Sequence, residues 1–265
     1  MADPDFWSKT VNHYGLSFCL KKGFIFVHIP KTGGTSICTA LKYYNHRPIN
    51  NYYLNKFLWK YIGWLAAPTS HLQLLSLMSN FHISARDIKS ELESQKMISS
   101  FLAMPKIREQ YKDVLDTSSM YDKLFKFAIV RNPWTRELSI YEYIKGNKKH
   151  PRHEFFSTFK SFNEFLNWKY ENQFVKNRRP GLIQLDYITD ANGNIIVDFF
   201  GKTENLAQDF QTVLNKLGIT DVSLPHVNKS KSNDVDYKSY YDDEAKEIVG
   251  EMCKEDLEFF GYTFD

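Results

Sequence analysis

The chain has 265 residues, of which 43% are hydrophobic and 16% aromatic, and its net charge is +3. That length allows one substantial core and the apolar fraction is ordinary for a globular protein, so a single domain spanning 1–265 is expected. The small positive excess argues against bulk nucleic-acid binding but leaves room for a local anion pocket.

Three cysteines, Cys19, Cys38 and Cys253, have an odd count and no metal-type spacing, which makes a reducing compartment the simpler expectation. The opening MADPDFWSKT is acidic and has no apolar core of secretory length, and no run reaches the ~18 apolar residues of a membrane span. The longest candidate, FLWKYIGWLAAP from Phe57, carries Lys60 and reads as a buried or interfacial helix. A cytoplasmic location is expected, with a Golgi lumenal domain lacking its anchor as the alternative.

In chain order, the first β-like run covers 24–29 and leads into PKTGGTS, with Lys31, Thr32, Gly33, Gly34, Thr35 and Ser36. A strand, a glycine turn and a helix start together present unpaired backbone N–H groups and the positive end of a helix dipole, a setting for phosphate or a group of similar shape. The lysine precedes the glycines, unlike the G-x-x-x-x-G-K-[ST] phosphate loop. A turn with its lysine in solvent is the plain alternative. Further on, Ser84 stands three residues before Asp87 in a capping-box pattern, and Ala85, Ile88 and Leu92 recur at helical spacing, which puts His82 on the loop before a helix.

A second β-like run at 126–131 opens VRNPWTRELSIYEY. Arg131 falls at the strand end, Pro133 can start the following helix, and Ser139 sits inside it, eight residues past the arginine. A guanidinium binds two oxygens at once, so an arginine with a nearby hydroxyl suits a terminal phosphate; a surface arginine and a chance serine is the competing view. A third β-like run is read at 195–200, paired as a hairpin across Asn192-Gly193 with QLDYIT before it. A helix opened by Thr203 and closed by Gly218 follows, then a C-terminal helix ending at Gly261. Strands separated by helices predict an α/β fold with a central, mainly parallel sheet flanked by helices. Two anion motifs on two strand ends then share one sheet edge, where ligands of open α/β folds bind. A ligand with two separated anionic ends is implied.

HIPKTGGTS resembles the 5′-phosphosulfate loop, and VRNPWTRELSIYEY the 3′-phosphate motif, of sulfotransferases that use 3′-phosphoadenosine 5′-phosphosulfate (PAPS). The branch most resembled holds carbohydrate sulfotransferases related to the chondroitin and hexuronic acid 2-O enzymes. FHISARDI is similar to the family's histidine loop, DFFGKTENLAQDF to its Arg-Phe-Glu-Asn-Leu segment, LPHVNKS to a late loop and DLEFFGYTFD to its ending. Lys202 departs from the family's usual arginine. The resemblance covers residue 22 onward and implies a P-loop-like sulfotransferase fold, PAPS as donor and no required metal.

The same resemblance implies roles. Lys31, Thr35 and Ser36 with the backbone of Gly33 and Gly34, joined by Thr32, would surround the sulfonate and leaving oxygen. Arg131 and Ser139 would take the 3′-phosphate, with Lys229 and Ser230 also on that side. His82 is the chosen base, with His28 and His226 next, and a structural histidine remains the alternative. His13, His46, His71, His150 and His153 read as solvated or outside the matched region. Trp134 would face the adenine or serve as a packing anchor.

Two rivals remain. A phosphate-loop kinase or nucleotidase would use Thr32 and Asp198 for Mg²⁺, and a non-catalytic nucleotide- or glycan-binding module would keep the fold alone. The acceptor is expected to be a saccharide or other small hydroxyl compound, with 43–80 and 145–182 as candidate acceptor-side segments. No nucleic acid or membrane partner is expected.

Overall fold

The structure is a computed structural model that describes residues 17–19, 22–41, 82–93, 120–176, 183–224 and 236–265. Its sheet has the order β1 (Ser17–Cys19), β2 (Phe24–Val27), β3 (Phe125–Val130), β4 (Phe199–Lys202). β2, β3 and β4 run parallel, with Phe24 opposite Phe125 and Phe127 opposite Phe199. β1 lies antiparallel on the outer edge of β2. Three residues are too few to show a periodic pattern, and β1 was not legible in the sequence.

The principal helices are α1 (Gly34–Ala40), α2 (Ala85–Leu92), α3 (Pro133–Gly146), α4 (Phe162–Lys169), α5 (Leu206–Lys216), α6 (Asp243–Met252) and α7 (Lys254–Phe260). Alternation along the strands sends Ile25, Val27, Ala128 and Val130 into one core with Ile88, Leu92 and Phe260. Phe24, Phe26, Phe127 and Ile129 enter another core with Ile37, Leu41, Phe210 and Val213. Both faces are covered, which is why β2 and β3 read as continuous apolar runs rather than as a polar alternation. These strand side chains are 0% exposed, and burial of one such side chain contributes roughly 1.5–3 kcal/mol. A third, aromatic-rich core joins α3, α4 and α6 through Leu138, Tyr141, Phe162, Phe165, Val249 and Met252.

Several local expectations meet the structure directly. Ser84 accepts the Asp87 N–H at 3.2 Å and so caps α2, and the Asp87 carboxylate reaches back to accept the Ser84 hydroxyl at 2.7 Å. Asn132 caps α3 by accepting the Trp134 N–H, and Pro133 occupies the first turn. Others are corrected. The stretch before Asn192-Gly193 is a short helix, Leu185–Ile188, joined to the far arm by a single bridge between Thr189 and Ile195. The Leu185 N–H is taken by Asp256 Oδ1 at 2.9 Å, a tertiary contact that outweighs β propensity. The third strand accordingly starts at Phe199 instead of residue 195. The helix read from Thr203 does open there, as a 3-10 turn Thr203–Asn205 that runs into α5, and the Thr203 hydroxyl lies 3.0 Å from the carbonyls of both Thr32 and Val130. The C-terminal helix is two helices that break at Cys253.

Residues 57–68, His13, His46, His71, His226, Lys229 and Ser230 lie outside the described residues. Among the described residues no helix is long and apolar enough to cross a membrane.

Candidate active site

β2 ends at Val27, and His28 to Pro30 carry the chain off the ladder into the loop. Lys31 is held at φ 67° and Gly33 at φ 85°, so the backbone winds left-handed twice before α1 begins. Glycine adopts that conformation freely, whereas lysine is strained in it, by about 1–2 kcal/mol. Gly34 is required for a different reason: a Cβ there would lie 2.0 Å from His28 Nε2. The Thr32 hydroxyl donates to the Ile29 carbonyl at 3.0 Å and the side chain is fully buried, so Thr32 ties the loop together and can offer a ligand only its backbone N–H. Thr35 and Ser36 are half-buried in the first turn of α1.

The Lys31 ammonium stands 3.9 Å from the centroid of the Tyr143 ring. Burial and, secondly, the Arg131 cation bring its pKa down to about 8. Arg131 follows β3 on the neighbouring strand, and its Nη1–H donates to the Lys31 carbonyl at 3.3 Å while Nε–H donates to Thr135 Oγ1 at 2.9 Å. Burial lowers the pKa of Arg131, and Glu204 acts in the opposite sense. Thr135, Ser139 and Tyr143 recur every four residues along α3 and therefore share one face of it. That face runs from Arg131 at the helix start to Lys31 over Tyr143. Ser139 is buried at its centre.

His82 arrives from the start of α2. Its Nδ1 lies 3.1 Å from the His28 carbonyl, and the two imidazoles meet edge-on with 4.7 Å between centroids. A carbonyl only accepts, so Nδ1 carries the proton and the neutral ring keeps its lone pair on Nε2. One edge of His82 is packed against the loop while the rest is open to solvent. The packed edge lowers the pKa by desolvation; the His28 carbonyl raises it, and Arg136 and Lys31 lower it further. His28 itself is nearly fully buried, and burial, then His82 and Lys31, press its pKa down to about 3. It is a neutral wall of the site.

The structure thus brings Lys31, Gly33, Gly34, Thr35, Ser36, Arg131, Ser139 and His82 to the carboxyl edge of the sheet. Trp134 is a packing anchor: its indole N–H donates to the Lys246 carbonyl at 3.1 Å and its ring meets Phe264 edge-on. Lys202 is on the same sheet edge, but its ammonium donates to the Phe260 carbonyl at 2.7 Å. Asp198 lies before β4, at the opposite end of the sheet, paired with Lys126 at 2.9 Å.

A frame around Arg131 was not read from the sequence. Gln184 contacts the Arg131 backbone, Asp256 holds Gln184, and Glu204 accepts the Asn132 N–H at 2.8 Å and the Tyr262 hydroxyl at 3.1 Å. Asn132 Nδ2–H in turn donates to the Thr263 carbonyl at 2.9 Å. One signal was present: Asp256 stands four residues before Phe260 on the buried face of α7, a polar group at a core position.

No solved structure matches the chain. An uncharacterized protein of Archaeoglobus fulgidus is 32% identical over 106 residues, 38% of this chain and 74% of that protein. The profile described as "Sulfotransferase family" matches residues 15–263. With a match across nearly its whole length, on a parallel sheet whose carboxyl edge gathers a lysine loop, an arginine and a histidine, the chain belongs to the sulfotransferase family.

Proposed function

We propose that the protein transfers a sulfuryl group from PAPS to a hydroxyl of a saccharide or similar small acceptor, within a P-loop-like sulfotransferase architecture. The observation that supports this best is the convergence of Lys31 and Arg131, joined through the Lys31 carbonyl at 3.3 Å, with His82 anchored on the same loop at His28. Two cations at adjacent strand ends suit a donor with a phosphosulfate at one end and a phosphate at the other. The donor, when bound, supplies the activated sulfur–oxygen bond.

The residues then divide the work. Lys31 places its ammonium where negative charge grows on the bridging oxygen as that bond breaks, and a fixed cation at that point lowers the barrier by stabilising the developing charge. The backbone of Gly33 and Gly34 faces the sulfonate, while the space beside their α-carbons is taken by Leu206 and His28. Arg131 and Ser139 hold the 3′-phosphate. His82 receives the acceptor's hydroxyl proton on Nε2 while the acceptor oxygen bonds sulfur, and the products are the sulfate ester and 3′-phosphoadenosine 5′-phosphate. The kinase reading is weakened because Asp198 is at the far end of the sheet and the Thr32 hydroxyl is turned inward.

Incubation with sulfur-labelled PAPS and a panel of saccharide and small hydroxyl acceptors tests the assignment. Labelled sulfate ester is expected from at least one acceptor, without added Mg²⁺. Mg²⁺-dependent phosphoryl transfer from ATP, with no sulfate transfer, would overturn it.

A further inference from the structure

Gln184, fully buried just before the helix Leu185–Ile188, lies alongside Arg131 as a neighbouring strand would. The Arg131 N–H donates to Gln184 Oε1 at 2.8 Å, and Gln184 Nε2 donates to the Arg131 carbonyl at 2.8 Å. Flipping the amide would set donor against donor, so its orientation follows from its partners. The ladder between β3 and β4 ends at Val130 opposite Lys202, which makes Arg131 the first residue past it. Asp256, also fully buried, fixes Gln184 in turn: it accepts the Gln184 N–H at 2.8 Å, Nε2–H at 3.2 Å and the Leu185 N–H at 2.9 Å. At the other end of Arg131, Nε and Nη1 are engaged with Thr135 and Lys31, and Nη2 makes no hydrogen bond among the described residues.

We propose that Gln184 is a positioning residue for nucleotide recognition: by pairing both backbone polar groups of Arg131 under the hold of Asp256, it sets how the guanidinium meets a 3′-phosphate. It thereby governs discrimination between adenine nucleotides with and without that phosphate. The proposal rests on the reading of Arg131 as the 3′-phosphate ligand. Productive anion contacts tolerate roughly 0.5 Å of misplacement, and a backbone released at the root of a long side chain exceeds that at its tip. Glutamine also has the one side-chain group that can both accept from an N–H and donate to a C=O at this reach.

The test is calorimetric titration of the full chain with 3′-phosphoadenosine 5′-phosphate and with AMP, for wild type, Arg131→Ala, Gln184→Met and Asp256→Asn, with thermal unfolding followed in parallel. Gln184→Met is expected to weaken binding of the 3′-phosphorylated nucleotide about 10-fold or more while AMP affinity stays within about two-fold, and Asp256→Asn should do the same to a smaller degree. An unchanged ratio of the two affinities in a folded variant overturns the proposal. Failure of both variants to fold overturns it too, because the pair would then be a determinant of the fold. If wild type shows no preference, or Arg131→Ala keeps it, the assignment of Arg131 is what fails.

Discussion

The imidazole of His82 is fixed by the backbone of His28, Nδ1 to carbonyl at 3.1 Å, and the His28 ring in turn fills the space that a side chain at residue 34 would need. His82 and the lysine loop therefore both meet the same residue. His82→Ala removes only the outer member of this stack. Nucleotide affinity is expected to stay near wild type while turnover falls by ~10²–10⁴. Unchanged turnover would return His82 to a structural role.

The pH dependence follows from two groups with opposite requirements. As the proposed base His82 would work neutral, and its pKa is lowered from the ordinary histidine value, so the acid limb of kcat/KM should lie below the usual histidine range. As the proposed cation at the leaving oxygen Lys31 would work charged, and its pKa of about 8 means that the cation is lost as pH rises through that value. The profile of kcat/KM for the donor, which reports the free enzyme, is expected to be bell-shaped with an alkaline limb near pH 8. In Lys31→Arg the alkaline limb should disappear along with most of the activity. A rate still rising well above that pH in wild type would exclude Lys31 as the required cation.

Gly34→Ala places a methyl group 2.0 Å from His28 Nε2. Overpacking of this kind costs about 1–3 kcal/mol. Combining it with His28→Ala opens the space, so the double variant should be more stable than the sum of the single changes predicts, with a coupling of roughly 0.5–3 kcal/mol. Chemical denaturation of the four proteins measures it. Strict additivity would show that the two residues do not meet.

Lys31→Gly separates stability from activity. Relief of the left-handed lysine gains about 1–2 kcal/mol, offset in part by the unfolded-state freedom of glycine, about 0.4–1 kcal/mol. The melting temperature is expected to hold or rise while sulfate transfer is lost. A large drop in melting temperature would show that the lysine is held there for the fold.

The parts of this site legible in the sequence are those set by local chemistry. The loop at Lys31, the capped start of α2 behind His82 and the Asn132-Pro133 opening of α3 each depend on residues within a few positions of one another. The misread parts depend on distant partners. Leu185–Ile188 looked like a strand because its alternation was visible and Asp256 was not. Thr203 opens its helical turn as read, but nothing nearby in the sequence shows that its hydroxyl spans Thr32 and Val130. Gln184 carries no motif, and Glu204, although inside the TENL stretch, shows no partner in the sequence; their roles exist only once Arg131 and Asn132 are set against them. The roles of Lys229 and Ser230 stay as sequence expectations.

The frame around Arg131 also orders events in time. Asp256, Tyr262 and Thr263 reach back to residues 184, 204 and 132 in turn, across separations of up to 131 positions. A ribosome delivers the lysine loop and the arginine well before it delivers the groups that set the arginine's backbone. Nascent chains consequently cannot complete the frame around Arg131 until the segment from Asp256 onward has emerged and docked. For the finished protein the same wiring predicts that the proposed nucleotide, on binding, stabilises the molecule as a unit: protection from hydrogen exchange should appear in α7 as well as in the lysine loop.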